Sequence, residues 1–90
     1  MRQALVNEDA PTLAFRALVW TLGDTARADR LLGVTGLDPA QLRARIADPA
    51  VLAATLAFLL AHEADLVACA AELDVPPQAI GRAAAELEAA

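Results

Sequence analysis

The chain has 90 residues, of which 58% are apolar, 3% aromatic and 21% charged, a size that accommodates one compact domain. Twelve acids against seven cations leave a net charge of −5 and a sequence pI near 4.5. That balance repels phosphate backbones and anionic membrane surfaces at long range, which disfavours general nucleic-acid or lipid binding.

The apolar set contains 24 Ala and 15 Leu but only eight Val and Ile together, a composition that favours helix over sheet. Lys, Tyr and Ser are absent, so every cation is Arg and side-chain hydroxyls come only from threonines. One Cys allows no intramolecular disulfide, and the stretch Met1 to Glu8 lacks the apolar run of a secretory leader, so the expected compartment is the cytoplasm. The longest nearly uncharged apolar run, Ala50 to Ala61, has twelve residues and falls short of the about 20 that a membrane-spanning helix needs.

The pattern predicts an all-α bundle of six short helices, with residues 1–8 as a frayed N-terminal segment and 9–90 as a single helical domain. Asp9 caps helix one and Pro11 sits in its first turn; Leu13, Ala17 and Trp20 with Phe15, Leu18 and Leu22 give two apolar stripes, so this helix is expected to be buried on most sides. Gly23 stops it. Asp24 caps helix two, which directs Ala28, Leu31 and Leu32 inward and Arg27, Asp29 and Arg30 outward, and Gly36 closes it. Asp38, Pro39 and Gln41 form a cap, a first-turn proline and a capping-box partner for helix three, which is expected to reach about Ala47. Asp48-Pro49 repeats the device for helix four, with Leu52, Leu56, Leu59 and Leu60. A straight continuation would place Glu63 on the apolar stripe, which predicts a break near 61–63. Helix five presents Leu66, Ala70 and Leu73 and ends at Asp74-Val75-Pro76-Pro77; helix six runs from about 77 to 88 with Ile80, Ala83, Ala84 and Leu87 inward.

Laid on itself with an offset of 38 residues, the chain superposes Pro11 on Pro49, Leu18 on Leu56, Trp20 on Phe58, Leu37 on Val75, Pro39 on Pro77 and Leu42 on Ile80. Two pseudo-repeated three-helix units on a shared core are expected. A void between them, left by Ala-for-Leu exchanges, would suit a small apolar ligand.

Catalytic constellations are hard to assemble from these residues. His62-Glu63 begins a zinc-protease pattern, but Leu66 stands where its second His belongs, so neither a metal nor any other cofactor is expected. His62 and Cys69 share a helical face two turns apart, roughly 10 Å by helix rise, too far for a base to activate a thiol; Cys69 reads as a small buried hydrophobe. Glu63 is expected to cap a helix or pair with Arg16 or Arg27, and Asp24, Asp38 and Asp48 to play structural, capping roles. Arg27, Arg30, Arg43 and Arg45 form the candidate binding set for an acidic partner surface, weighed against a plain solvated face.

The run Ala70 to Ala83 resembles the helix-turn-helix of bacterial regulators, and Leu32 to Leu42 shows a fainter version. Asp74 replaces the usual turn glycine, and the would-be recognition helix carries Glu86 and Glu88 against Arg82, so the geometry lacks the electrostatics of DNA binding. From Asp9 to Leu87, the order and spacing of Thr35-Gly36-Leu37, Asp48-Pro49, Phe58-Leu59-Leu60, Glu63, Asp65 and Val75-Pro76-Pro77 resemble the alphaproteobacterial domain of unknown function 3572. That resemblance implies an all-helical cytoplasmic protein with no assigned activity. The expected role is a non-catalytic protein-interaction or adaptor module, with a homodimer as a further expectation if Trp20 or Phe15 stays exposed; the alternatives are a DNA-binding accessory protein and an apolar-ligand binder.

Overall fold

Four aspartates open four of the six helices among the described residues. In the computed structural model, which describes residues 8–89, the carboxylate of Asp9 accepts from the Thr12 amide at 2.9 Å and starts α1, Ala10–Leu22. Asp24 accepts from the Arg27 amide at 3.0 Å and starts α2, Thr25–Thr35. Asp38 accepts from the Gln41 amide at 2.8 Å while the Gln41 side chain accepts from the Asp38 amide at 2.9 Å, a complete capping box at the head of α3, Pro39–Ala44. Asp48 accepts from the Ala50 amide at 2.9 Å ahead of α4, Pro49–Leu60. Each cap satisfies an amide that the first helical turn leaves without a partner.

α5, Glu63–Leu73, starts differently. Its cap residue His62 donates from Nδ1 back to the Phe58 carbonyl at 2.7 Å and lays its ring 4.7 Å from the Phe58 ring, so it closes α4 instead of capping α5. Ala61 and His62 form the predicted break, and the chain turns there by 114°. The C-termini of α2 and α5 are closed by left-handed residues: Gly36 at φ 74° and Asp74 at φ 60°. α6 spans Pro77–Ala89.

α1, α4 and α6 pack on one another as the central triad, α2 and α5 each touch both α1 and α4, and α3 lies outside, anchored by buried Leu42. Leu18, Leu31, Leu56, Leu59 and Ile80 are fully buried. Thr21 and Thr55 share this core because their hydroxyls donate to the carbonyls one turn back, Ala17 at 2.8 Å and Val51 at 3.0 Å.

The repeat is visible in the element boundaries: shifting α2 by 38 residues gives α5 end for end, and the same shift carries Gly36 onto Asp74 and Pro39 onto Pro77. The two repeated units share one core, as expected. The halves interleave, since α2 packs on α4 of the other half and α5 on α1. Their third helices also differ, because α3 has six residues and lies at the edge whereas α6 has thirteen and fills the centre.

Three local expectations are corrected. α3 ends at Ala44, three residues early, because the Arg45 guanidinium and carbonyl fold onto Asp48 to prepare the next cap. Leu60, placed inward from sequence, is half-exposed, and although α1 is covered on most sides, Phe15, read as part of one of its apolar stripes, faces solvent beside Val19. The frayed segment read at 1–8 lies outside the described residues except for Glu8, whose carboxylate is held by Arg16 at 2.7 Å.

Candidate functional site

Helical periodicity puts Pro11, Phe15 and Val19 on one line of α1. The core takes the opposite face, through Leu13, Ala14, Ala17, Leu18 and Thr21, and leaves this line outside; Phe15 is 42% exposed and Val19 52%. Phe15 is a ridge between two open hollows. One, of about 440 Å³, lies between α1 and the end of α5 and is lined by Phe15, Arg16, Val19, Trp20, Glu72 and Leu73. The other, of about 280 Å³, is lined by Pro11, Thr12, Phe15, Ala47 and Leu52. The larger hollow lies between helices of the two repeated halves, α1 of the first and α5 of the second, and is open at the surface.

The charged groups of the larger hollow are unequal. Arg16 gives one guanidinium nitrogen to Glu8 at 2.7 Å and another to the Leu73 carbonyl at 3.1 Å, tying α1 to the C-terminus of α5. Glu72 is exposed and forms no ion pair among the described residues. The hollow therefore combines an alkyl and aromatic floor with one unbalanced negative charge.

Trp20 forms the inner wall and is covered from above. The Arg27 guanidinium lies 3.7 Å from its ring centroid and donates to its backbone carbonyl at 3.1 Å, while Arg27 Nε is buried without a partner among the described residues. Arg27 was expected to point outward; the correction is that it folds inward over an aromatic face, where its stem and planar head both find contacts.

The four arginines read as a binding set are dispersed in their engagements. Arg27 is spent on Trp20, Arg30 pairs with Asp65 at 2.8 Å, and Arg45 pairs with Asp48 at 3.0 Å. Arg43, exposed on α3, is the member with no ion pair among the described residues. The expectation that Glu63 caps a helix or pairs with Arg16 or Arg27 is also corrected: both guanidiniums are engaged elsewhere, and Glu63 is exposed at the first position of α5, its side chain making no hydrogen bond among the described residues. Its next acidic neighbour, Asp65, is the one that crosses to an arginine.

Cys69 is completely buried, and burial pushes its thiol up to about 11 from the ordinary 9.0, opposed by the positive charges of Arg27 and Arg16. A thiol so disposed is protonated at neutral pH and serves as packing. Among the described residues, no three His, Cys, Asp or Glu side chains converge on a point where a metal could sit. No single described helix is long and apolar enough to cross a membrane; α4 and α5 reach that length only together, across their 114° bend.

Fold and surface define an all-α domain, with six helices among the described residues, whose polar side chains mostly cap and brace helices and whose α1 carries an uncovered apolar ridge. Residues 7–90 match the family model described as "Protein of unknown function (DUF3572)", and the chain belongs to that family. No curated protein and no solved structure gives a significant match to it.

Proposed function

We propose that this protein is a non-catalytic protein-interaction module of the cytoplasm, and that its contact surface is the ridge and paired hollows of α1. The observation that carries this reading is Phe15: a large aromatic side chain left 42% exposed between two apolar hollows, on a helix whose other face is fully packed. Scattered apolar side chains are ordinary on protein surfaces, but a ridge flanked by grooves is the shape that helix-on-helix contact uses. The polar inventory supports the same reading, because Asp9, Asp24, Asp38 and Asp48 are consumed as caps, and Arg16, Arg27, Arg30 and Arg45 as braces.

The test is affinity capture from native cell extract with the wild-type chain and with Phe15→Asp, at low and moderate salt. A stoichiometric protein retained by the wild type and lost by Phe15→Asp, with unchanged thermal unfolding of the variant, is the expected result. Retention that is indifferent to Phe15→Asp, or recovery of only duplex DNA or a small molecule, overturns the reading.

A further inference from the structure

We propose that the occupant of the α1 face is a basic amphipathic helix of a partner protein, seated with apolar side chains in the two hollows on either side of Phe15 and with a Lys or Arg directed to Glu72. This rests on the interaction reading above and adds the chemistry of the partner.

The shape of the site argues for a helix. Two apolar hollows, of about 440 and 280 Å³, share Phe15 as their common wall, so a binder must offer two apolar groups with a gap between them that fits an aromatic ring. Residues three or four apart on one face of a helix leave such a gap, which is how ridges and grooves interlock.

The charge of the site argues for a basic one. Of the two charged residues lining the larger hollow, Arg16 is paired with Glu8 at 2.7 Å and donates to the Leu73 carbonyl, and Glu72 has no counter-charge among the described residues. Asp74 follows Leu73 immediately and is also exposed, while exposed Asp9 stands just before Pro11 at the head of the ridge. Near the smaller hollow, Arg45 is paired with Asp48, and none of the residues that line that hollow is charged. The face thus has an apolar centre and an acidic margin on a chain of net charge −5. A second copy would bring the same unpaired Glu72 and another five negative charges to the contact, whereas a cationic helix relieves both.

Trp20, the single tryptophan and a wall of the larger hollow, reports occupancy directly. The probes are two designed tryptophan-free helical peptides of about 18 residues, five turns at 3.6 residues per turn, with one identical Leu face and with Lys or Glu on the remaining positions. Titrated into the full chain at low salt, the Lys peptide is expected to shift Trp20 emission saturably at one-to-one stoichiometry, and to bind at least about tenfold more tightly than the Glu peptide. Phe15→Ala is expected to weaken it by about tenfold or more, and Glu72→Gln by about two- to fivefold with a flatter salt dependence. Val67→Ala, at an exposed apolar position on α5, is expected to leave it unchanged. If Phe15→Ala does not fold, Val19→Ser serves in its place.

Equal affinity for the two peptides, no binding of either, or binding indifferent to Phe15→Ala overturns the proposal. So does a concentration-dependent dimer in sedimentation that Phe15→Ala abolishes, which assigns the face to a second copy. Capture of a Phe15-dependent protein from extract together with failure of the Lys peptide sinks this inference alone and leaves the interaction reading standing. Failure of that capture sinks the interaction reading itself.

Discussion

Arg27 reaches back across the turn between α1 and α2 to place its guanidinium 3.7 Å from the Trp20 ring centroid while Nη2 donates to the Trp20 carbonyl at 3.1 Å. One side chain thereby adds a second donor to a carbonyl that the Gly23 amide already bonds at the end of α1, and shields the inner wall of the larger hollow.

This contact is worth the sum of a cation–π interaction, about 0.5–1 kcal/mol, and a charge-assisted hydrogen bond, less the cost of the buried, unpartnered Nε. Arg27→Ala is expected to lower stability by about 1–2 kcal/mol in urea unfolding. Arg27→Met, which keeps the stem packing and removes the orphaned donor, is expected to lose less. Equal losses for the two variants would show that the stem contributes nothing.

Cys69 makes stability fall at high pH. Its thiol is held up to about 11 in the folded protein against 9.0 for the ordinary group, so between these values the folded state keeps a proton that the unfolded state has released. Stability is complete below pH 9 and is lost as pH rises towards 11, by up to about 2–3 kcal/mol at about 1.4 kcal/mol per unit. Denaturant midpoints measured from pH 8 to pH 11 check this, and Cys69→Ala is expected to remove the alkaline component of the slope.

Gly36 and Asp74 occupy equivalent left-handed caps, at φ 74° and φ 60°, yet one is built for that conformation and the other tolerates it. Asp74→Gly is expected to raise stability by a few tenths to about 1 kcal/mol, and Gly36→Asp to lower it by a similar amount. Thermal unfolding of the two single variants and the double exchange measures both signs.

Asp38 and Glu63 separate caps that bond from acids that only sit nearby. Asp38→Ala removes half of a capping box and is expected to cost about 1 kcal/mol, within the usual 0.5–2. Glu63→Gln is expected to change stability by less than about 0.5 kcal/mol, because the carboxylate has no partner to lose among the described residues. A loss above about 1 kcal/mol for Glu63→Gln would restore the capping or salt-bridging role first read from its position.

The caps were legible from sequence because each is local: an aspartate, a first-turn proline, and an amide two or three residues on decide the outcome among themselves. The break at Ala61 and His62 was legible for a second reason, since the repeat maps Gly23-Asp24 onto it and Glu63 has no place on an apolar stripe. The arginine pairings were not. Arg30 meets Asp65 across 35 residues and Arg16 meets the Leu73 carbonyl across 57, and a chain with seven arginines and twelve acids offers too many such pairs for spacing to choose. The exposed ridge was hidden for the opposite reason. α1 is apolar nearly all round, so its pattern cannot say which side the neighbouring helices leave bare, and Phe15 and Leu18 look alike until α4 and α6 choose one face.

The interleaving of α2 with α4 and of α5 with α1 means that a cut between Ala47 and Asp48 would leave neither piece with a closed interior. Each piece would keep its caps and expose the flank that the other was meant to cover. The two pieces are therefore expected to stay largely unstructured apart and to regain helicity on mixing, with one shared transition in place of two. Two intact chains at high concentration hold the same option, trading second halves through the Arg45–Asp48 turn, so the connection that sets the α4 cap also decides whether one chain closes upon itself or upon its neighbour.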